Sequence, residues 1–156
     1  MISVSIPGWG DLEIQYLVID YNGTCAFDGK IKEQAKELLE KISRYIKVFI
    51  ITSDTYGNID NEVNTIGFSV IKVSKENSGA EKARIIKELG PEKVVAIGNG
   101  ANDAMMLKEA GLGVGVIGEE GCASFVFKEA DLIVRDVTDA LNILLHPERL
   151  MATLRD

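Results

Sequence analysis

With 156 residues, 46% of them hydrophobic and 26% charged, the chain is long enough to close one core on its own, so a single domain over 1–156 is expected without disulfide or structural metal. A net charge of −7, with no Lys/Arg cluster long enough to track phosphates, disfavours nucleic acid and anionic membranes, and no apolar run reaches the roughly 18 residues that span a bilayer. Two cysteines 97 positions apart make no metal-type spacing and read as reduced thiols, and the first ten residues lack a signal-peptide layout, so a cytoplasmic location is expected. In chain order, Ile2 to Ile6, the turn Pro7-Gly8-Trp9-Gly10 and Leu12 to Asp20 read as a strand, a reversal and a longer strand, an antiparallel opening unit. From there helices and strands alternate. Ile31, Ala35, Leu38, Leu39 and Ile42 keep helical spacing, and Ile46 to Ile51 form a β-branched run.

Ile59, Val63 and Ile66 predict a short helix before a strand over Ser69 to Val73. Ala80, Ala83, Ile86 and Leu89 predict another, stopped by Gly90-Pro91, before the strand Val94 to Ile97. Asn102 is placed to cap a helix carrying Met105, Met106 and Leu107. Leu112 to Ile117 and Asp131 to Val134 are the last strands, with helices near 121–129 and 137–145 and a short outer helix over 146–156. This alternation predicts an α/β fold: a three-layer, Rossmann-like, mostly parallel sheet with helices on both faces.

Polar side chains stand at the ends of the buried runs, where an open parallel sheet collects ligands. Asp20 follows Leu17-Val18-Ile19 and precedes a turn in which Gly23 allows a sharp reversal, so that backbone N–H groups near Thr24 and a carboxylate can meet one phosphate. Thr52 closes the next apolar run with a hydroxyl, and Lys82 sits early in a helix, where a point charge can neutralise a phosphoryl group. Gly98-Asn99-Gly100-Ala101-Asn102-Asp103 holds more polar groups than a helix start needs, and Asn99 and Asp103 can both reach a Mg²⁺ shell. Each residue also has an ordinary reading: Asp20 and Thr52 as turn residues, Lys82 on a solvated face, Asn102 and Asp103 as helix-start groups. The glycines of Gly113-Val114-Gly115-Val116-Ile117-Gly118 match a dinucleotide-binding spacing but fall inside a late strand, and His146 is remote from every motif.

Taken together, these segments resemble the haloacid dehalogenase superfamily, and most closely its small proteins that look like the phosphorylation domain of P-type ATPases. Asp20-Tyr21-Asn22-Gly23-Thr24 is similar to the first motif, whose leading Asp becomes an aspartyl phosphate. Ile51-Thr52-Ser53-Asp54 is similar to the ATPase Thr-Gly-Asp, Lys82 begins a segment like the third motif, and Gly98 to Asp103 resembles the fourth, Gly-Asp-Gly-x-Asn-Asp. The resemblance implies a Mg²⁺-dependent phosphohydrolase in which Asp20, Asn22, Thr52 and Lys82 serve catalysis. Gly23, Thr24, Thr52, Ser53 and Lys82 then hold phosphate, and Asp20, the Asn22 carbonyl, Asn99 and Asp103 hold the ion.

Two departures matter. Phosphatases of the superfamily usually carry Asp where Asn22 stands, and Asn99 replaces the main acid of the fourth motif. Losing a general acid or base costs about 10²–10⁴-fold in rate, which is slow rather than dead. The alternative expectation is a non-catalytic regulator that binds phosphate or Mg²⁺. Only 31 positions separate Asp20 from Thr52, too few for a cap domain, so the site should lie open to a phosphorylated small molecule or phosphoprotein unless a homo-oligomer covers it.

Overall fold

The computed structural model describes residues 1–54, 59, 63 and 68–156. Strands β1 (Ile2–Ile6) and β2 (Gly10–Ile14) form an antiparallel hairpin, in register from Ile2 opposite Ile14 to Ile6 opposite Gly10. The long strand expected over Leu12 to Asp20 is instead two, because β3 (Tyr16–Asp20) starts afresh after Gln15. Gln15 donates its N–H to the Lys93 carbonyl at 2.9 Å and accepts from the Lys47 N–H at 3.0 Å. Its backbone has thus changed partners, and β2 swings clear of the main sheet.

Six strands make that sheet, in the order β10-β9-β8-β3-β6-β7: β3, β6 (Lys47–Thr52), β7 (Ser69–Lys72), β8 (Val94–Gly98), β9 (Leu112–Val116) and β10 (Leu132–Val134). Every pairing within it is parallel. The chain builds outward from β3 through β6 to β7, then returns to the other side of β3 with β8. That reversal opens a crevice at the carboxyl ends of β3 and β8, the place where such sheets bind ligands.

Alternate residues of β3 enter opposite cores. Leu17 and Ile19 pack with the apolar faces of α1 (Glu33–Ser43) and the penultimate helix (Val137–Leu145), while Val18 joins Ile86, Met106, Leu107 and Val126 on the other side. Both faces of the sheet are therefore covered, which is why its strands read as continuous apolar runs. The covering helices on the second face are α2 (Ser78–Leu89), α3 (Ala104–Glu109) and α4 (Ser124–Glu129). On the first face α5 (Val137–Leu145) follows β10, and α6 (Pro147–Leu154) buries Leu150 beside the hairpin. No helix among the described residues is long and apolar enough to cross a membrane.

Three expectations are corrected. Ile31 belongs not to α1 but to a small hairpin of β4 (Ala26–Phe27) and β5 (Lys30–Ile31), turned by Asp28 and Gly29 with φ of 51° and 75°. Asp103, not Asn102, stands at the start of α3, after a 3₁₀ turn over Ala101–Asp103. The strand expected to run to Ile117 ends at Val116. Ile59 and Val63 are buried and helical, whereas Ile66 of the same expected helix lies outside the described residues.

Candidate active site

Asp20 ends β3 with its side chain buried, and α2 delivers Lys82 to it from the second face. Lys82 Nζ lies 2.7 Å from Asp20 Oδ1 and 2.7 Å from Asp103 Oδ1, with no exposure to solvent. One cation is shared by two acids in a buried pocket. Burial and the neighbouring Asp103 push the Asp20 carboxyl up to about 7, outweighing Lys82 and the Thr24 hydroxyl. For Lys82, burial pulls the ammonium down, but the two carboxylates prevail and its pKa is raised.

Asp103 spends both oxygens on the protein. While Oδ1 takes Lys82, Oδ2 accepts the backbone N–H groups of Asn99 at 3.0 Å and Gly100 at 2.9 Å, which ties the turn after β8. Only glycine fits at position 98, where a Cβ would lie 2.5 Å from Asp103 Cβ. Asn102 turns the other way and donates to Ser78 Oγ at 3.1 Å, pinning the start of α2.

Thr24 closes the other side. Its hydroxyl lies 3.2 Å from Asp20 Oδ2 and 3.0 Å from Asn99 Oδ1, so two buried acceptor oxygens compete for one proton. Hard oxygens left short of donors suit a small divalent cation such as Mg²⁺. The donor set fits that ion, although with less negative charge than an acid at position 99 would give.

Asp20, Thr24, Lys82, Asn99 and Asp103, five of the residues singled out in the sequence, thus converge. Thr52 is buried at the end of β6, next to β3 in the sheet, and its Oγ1 accepts the Asp54 N–H at 3.0 Å. Ser53 follows it, half-buried. Gly23 is buried with φ of 77°, as the reversal requires, and the Asn22 side chain faces solvent. The sequence reading missed the segment 117–123 after β9. It closes on Asn99 from above: Asn99 Nδ2 donates to the Gly121 carbonyl at 3.1 Å, and the Ala123 N–H donates to the Asn99 carbonyl at 2.8 Å. The signal available was the position of Gly118-Glu119-Glu120-Gly121 at a parallel strand's carboxyl end.

A buried acid at the switch point of a parallel sheet, bridged to a second acid by a lysine, is a centre built for charge-neutralised carboxylate chemistry. The family model for haloacid dehalogenase-like hydrolases matches residues 7–111, and the chain belongs to that family. It is 46% identical over 93 residues to an uncharacterized protein of Methanocaldococcus jannaschii, a match covering 55% of this chain and all of the other. It is 31% identical over 103 residues to the chloroplast copper-transporting ATPase of Arabidopsis thaliana, covering 64% of this chain but 11% of the ATPase. Its fold is similar to that of 3-deoxy-D-manno-octulosonate 8-phosphate phosphatase from Moraxella catarrhalis, solved with magnesium, phosphate and sugar, at a TM-score of 0.72 and 18% identity over 92% of this chain and 94% of that one.

Proposed function

We propose that this hydrolase is a Mg²⁺-dependent phosphatase that works through an aspartyl phosphate on Asp20. The observation that carries the reading is Lys82 held at 2.7 Å from both Asp20 and Asp103 in a buried pocket at the sheet's switch point. A carboxylate so placed attacks phosphorus, forming the Asp20 oxygen–phosphorus bond as the bond to the leaving oxygen breaks. Lys82 steadies the charge of the transferring group. Thr52 and Ser53 hold its other oxygens, whereas the Gly23 and Thr24 N–H groups are already spent inside the turn, on the Ala26 carbonyl at 2.9 Å and the Tyr21 carbonyl at 3.4 Å. Water then attacks the acyl phosphate and returns free Asp20 and inorganic phosphate.

Asp20, Asn99 Oδ1 and the Asn22 carbonyl would hold the ion. Bound Mg²⁺ supplies positive charge against the phosphoryl oxygens and keeps a neighbouring carboxyl ionised at neutral pH. With Asn22 at the family's acid position, no side-chain acid stands there to protonate the leaving oxygen, so solvent must do so and turnover is slow. The substrate class is a phosphorylated small molecule or phosphoprotein, since among the described residues only the hairpin β4–β5 lies between Asp20 and α1.

The test is hydrolysis of an aryl phosphate with and without Mg²⁺, with Asp20→Asn in parallel. Magnesium-dependent release of phosphate, lost by at least about 10³-fold in the variant, is expected. Full activity in Asp20→Asn would overturn the mechanism. The amides at 22 and 99 favour a second reading, a protein that binds phosphate or Mg²⁺ without turnover. Asn22→Asp combined with Asn99→Asp separates the two, because an eroded phosphatase site gains about 10²-fold or more and a pure binding site gains nothing.

A further inference from the structure

Asn99 offers an amide oxygen to the ion where an acid would offer charge, and the structure brings another carboxylate to the same place. Glu120 lies in segment 117–123, exposed, with its side chain over Gly23. A Cβ at Gly23 would overlap Glu120 Oε2, and from that same point Asn99 Nδ2 is 2.9 Å and Asn99 Oδ1 3.2 Å away. The glycine leaves open the space in which Glu120 and the Asn99 amide face each other, beside the oxygen pair that competes for the Thr24 proton.

The segment is held in position from several sides. Gly121 and Ala123 hydrogen-bond Asn99, the Gly118 N–H donates to the Arg135 carbonyl at 2.8 Å, and a Cβ at Gly118 would sit 3.3 Å from Phe27 Cζ. The neighbouring acid is already engaged, since Glu119 Oε1 lies 3.0 Å from Lys32 Nζ, and Lys32 also reaches Asp136 at 3.3 Å. Glu120 has no cationic partner among the described residues. No three acidic, His or Cys side chains among the described residues are close enough to hold an ion, and Glu120, turned inward about its exposed side-chain torsions, would join Asp20 as the second charged ligand.

We propose that Glu120 supplies to the divalent cation the negative charge that Asn99 withholds, an inference that rests on the ion-dependent reading of the Asp20 site. Ion affinity in oxygen sites follows the number of charged ligands. A carboxylate reaching in from the segment after β9 therefore replaces one lost from the turn after β8.

Mn²⁺ binding, measured by the fall in its free-ion paramagnetic resonance signal and by titration calorimetry, tests this without recourse to turnover. Glu120→Gln should weaken binding about tenfold or more, whereas Glu40→Gln, which removes the same charge from the exposed side of α1, should leave it within twofold. Asn99→Asp should raise the affinity more in the Glu120→Gln protein than in the wild type, a non-additivity that a merely structural role of Glu120 would not produce. Wild-type affinity in Glu120→Gln overturns the assignment of Glu120 and leaves the phosphatase reading standing. A wild-type protein that binds no Mn²⁺ overturns both.

Discussion

At Asp20 two opposing effects meet, and their balance decides how the ion-free protein responds to pH. Lys82 favours the carboxylate, while burial and Asp103 favour the acid, and the net is a pKa near 7 against 3.8 for an ordinary aspartate. The folded chain therefore holds an extra proton between those values, and stability falls as pH rises through that window. Each pKa unit is worth about 1.4 kcal/mol, and about 1 kcal/mol moves the melting temperature of a chain this size by roughly 2–4 °C. Asp20→Asn keeps the shape and cannot ionise. In chelator, the variant and the wild type should melt together near pH 3, below both values, and the variant should melt about 8 °C or more higher at pH 8. Equal melting at both pH values would show that the ion pair with Lys82 fully offsets burial and Asp103, and a wild type melting higher at pH 8 would show that it outweighs them. The motif pattern brought Lys82 to Asp20 and singled out Asp103, but their burial and the sharing of one ammonium by two acids 62 and 21 positions away are set by tertiary packing and were not legible in the sequence.

Elements were legible where one periodicity ran long enough, as in α2, α5 and β6. Those missed are short or borrow their partners from afar: the two-residue strands β4 and β5, the break at Gln15, and segment 117–123, whose order comes from Asn99, Arg135 and Lys32. Strand β9 shows how the fold sorts a motif from its mimic. Gly113 and Gly115 are buried in mid-strand, and the space a side chain would need at each is already filled. At Gly113 the obstacle is backbone: a Cβ would overlap the Leu107 carbonyl oxygen and lie 2.9 Å from its carbon, so α3 itself would have to move. At Gly115 it is the ends of two side chains, Ile133 Cδ1 and Val126 Cγ1, each 2.6 Å away. These glycines let neighbouring elements approach the strand, and that packing accounts for their spacing. Gly113→Ala should therefore cost about 2–3 kcal/mol and Gly115→Ala less, as read from urea unfolding midpoints. The reverse order would mean that the α3–β9 contact is the softer of the two.

For the molecule as a whole, the strand order decides everything about the site and is the part an alternating pattern cannot supply. Alternation predicts a parallel sheet, but only the return of the chain from β7 to β8 places Asn99 and Asp103 opposite Asp20, and it does so on a protein carrying a net charge of −7. On the proposed function, the phosphate must then approach an acidic molecule in which, among the described residues, Lys82 and the proposed ion supply the local attraction. Such a field selects for the body that carries the phosphate. A phosphopeptide flanked by lysines should be favoured over one flanked by aspartates in kcat/KM by about tenfold at low ionic strength, through faster encounter. Salt should erase the difference, since the screening length falls to about 3 Å at 1 M. The preference should appear in kcat/KM and leave kcat nearly untouched, because the flanking charges act before the phosphate reaches Asp20. Equal kcat/KM for the two peptides at 10 mM salt would mean that the site's local cations screen it from the rest of the surface, and the choice of substrate would then rest on contacts to the leaving group.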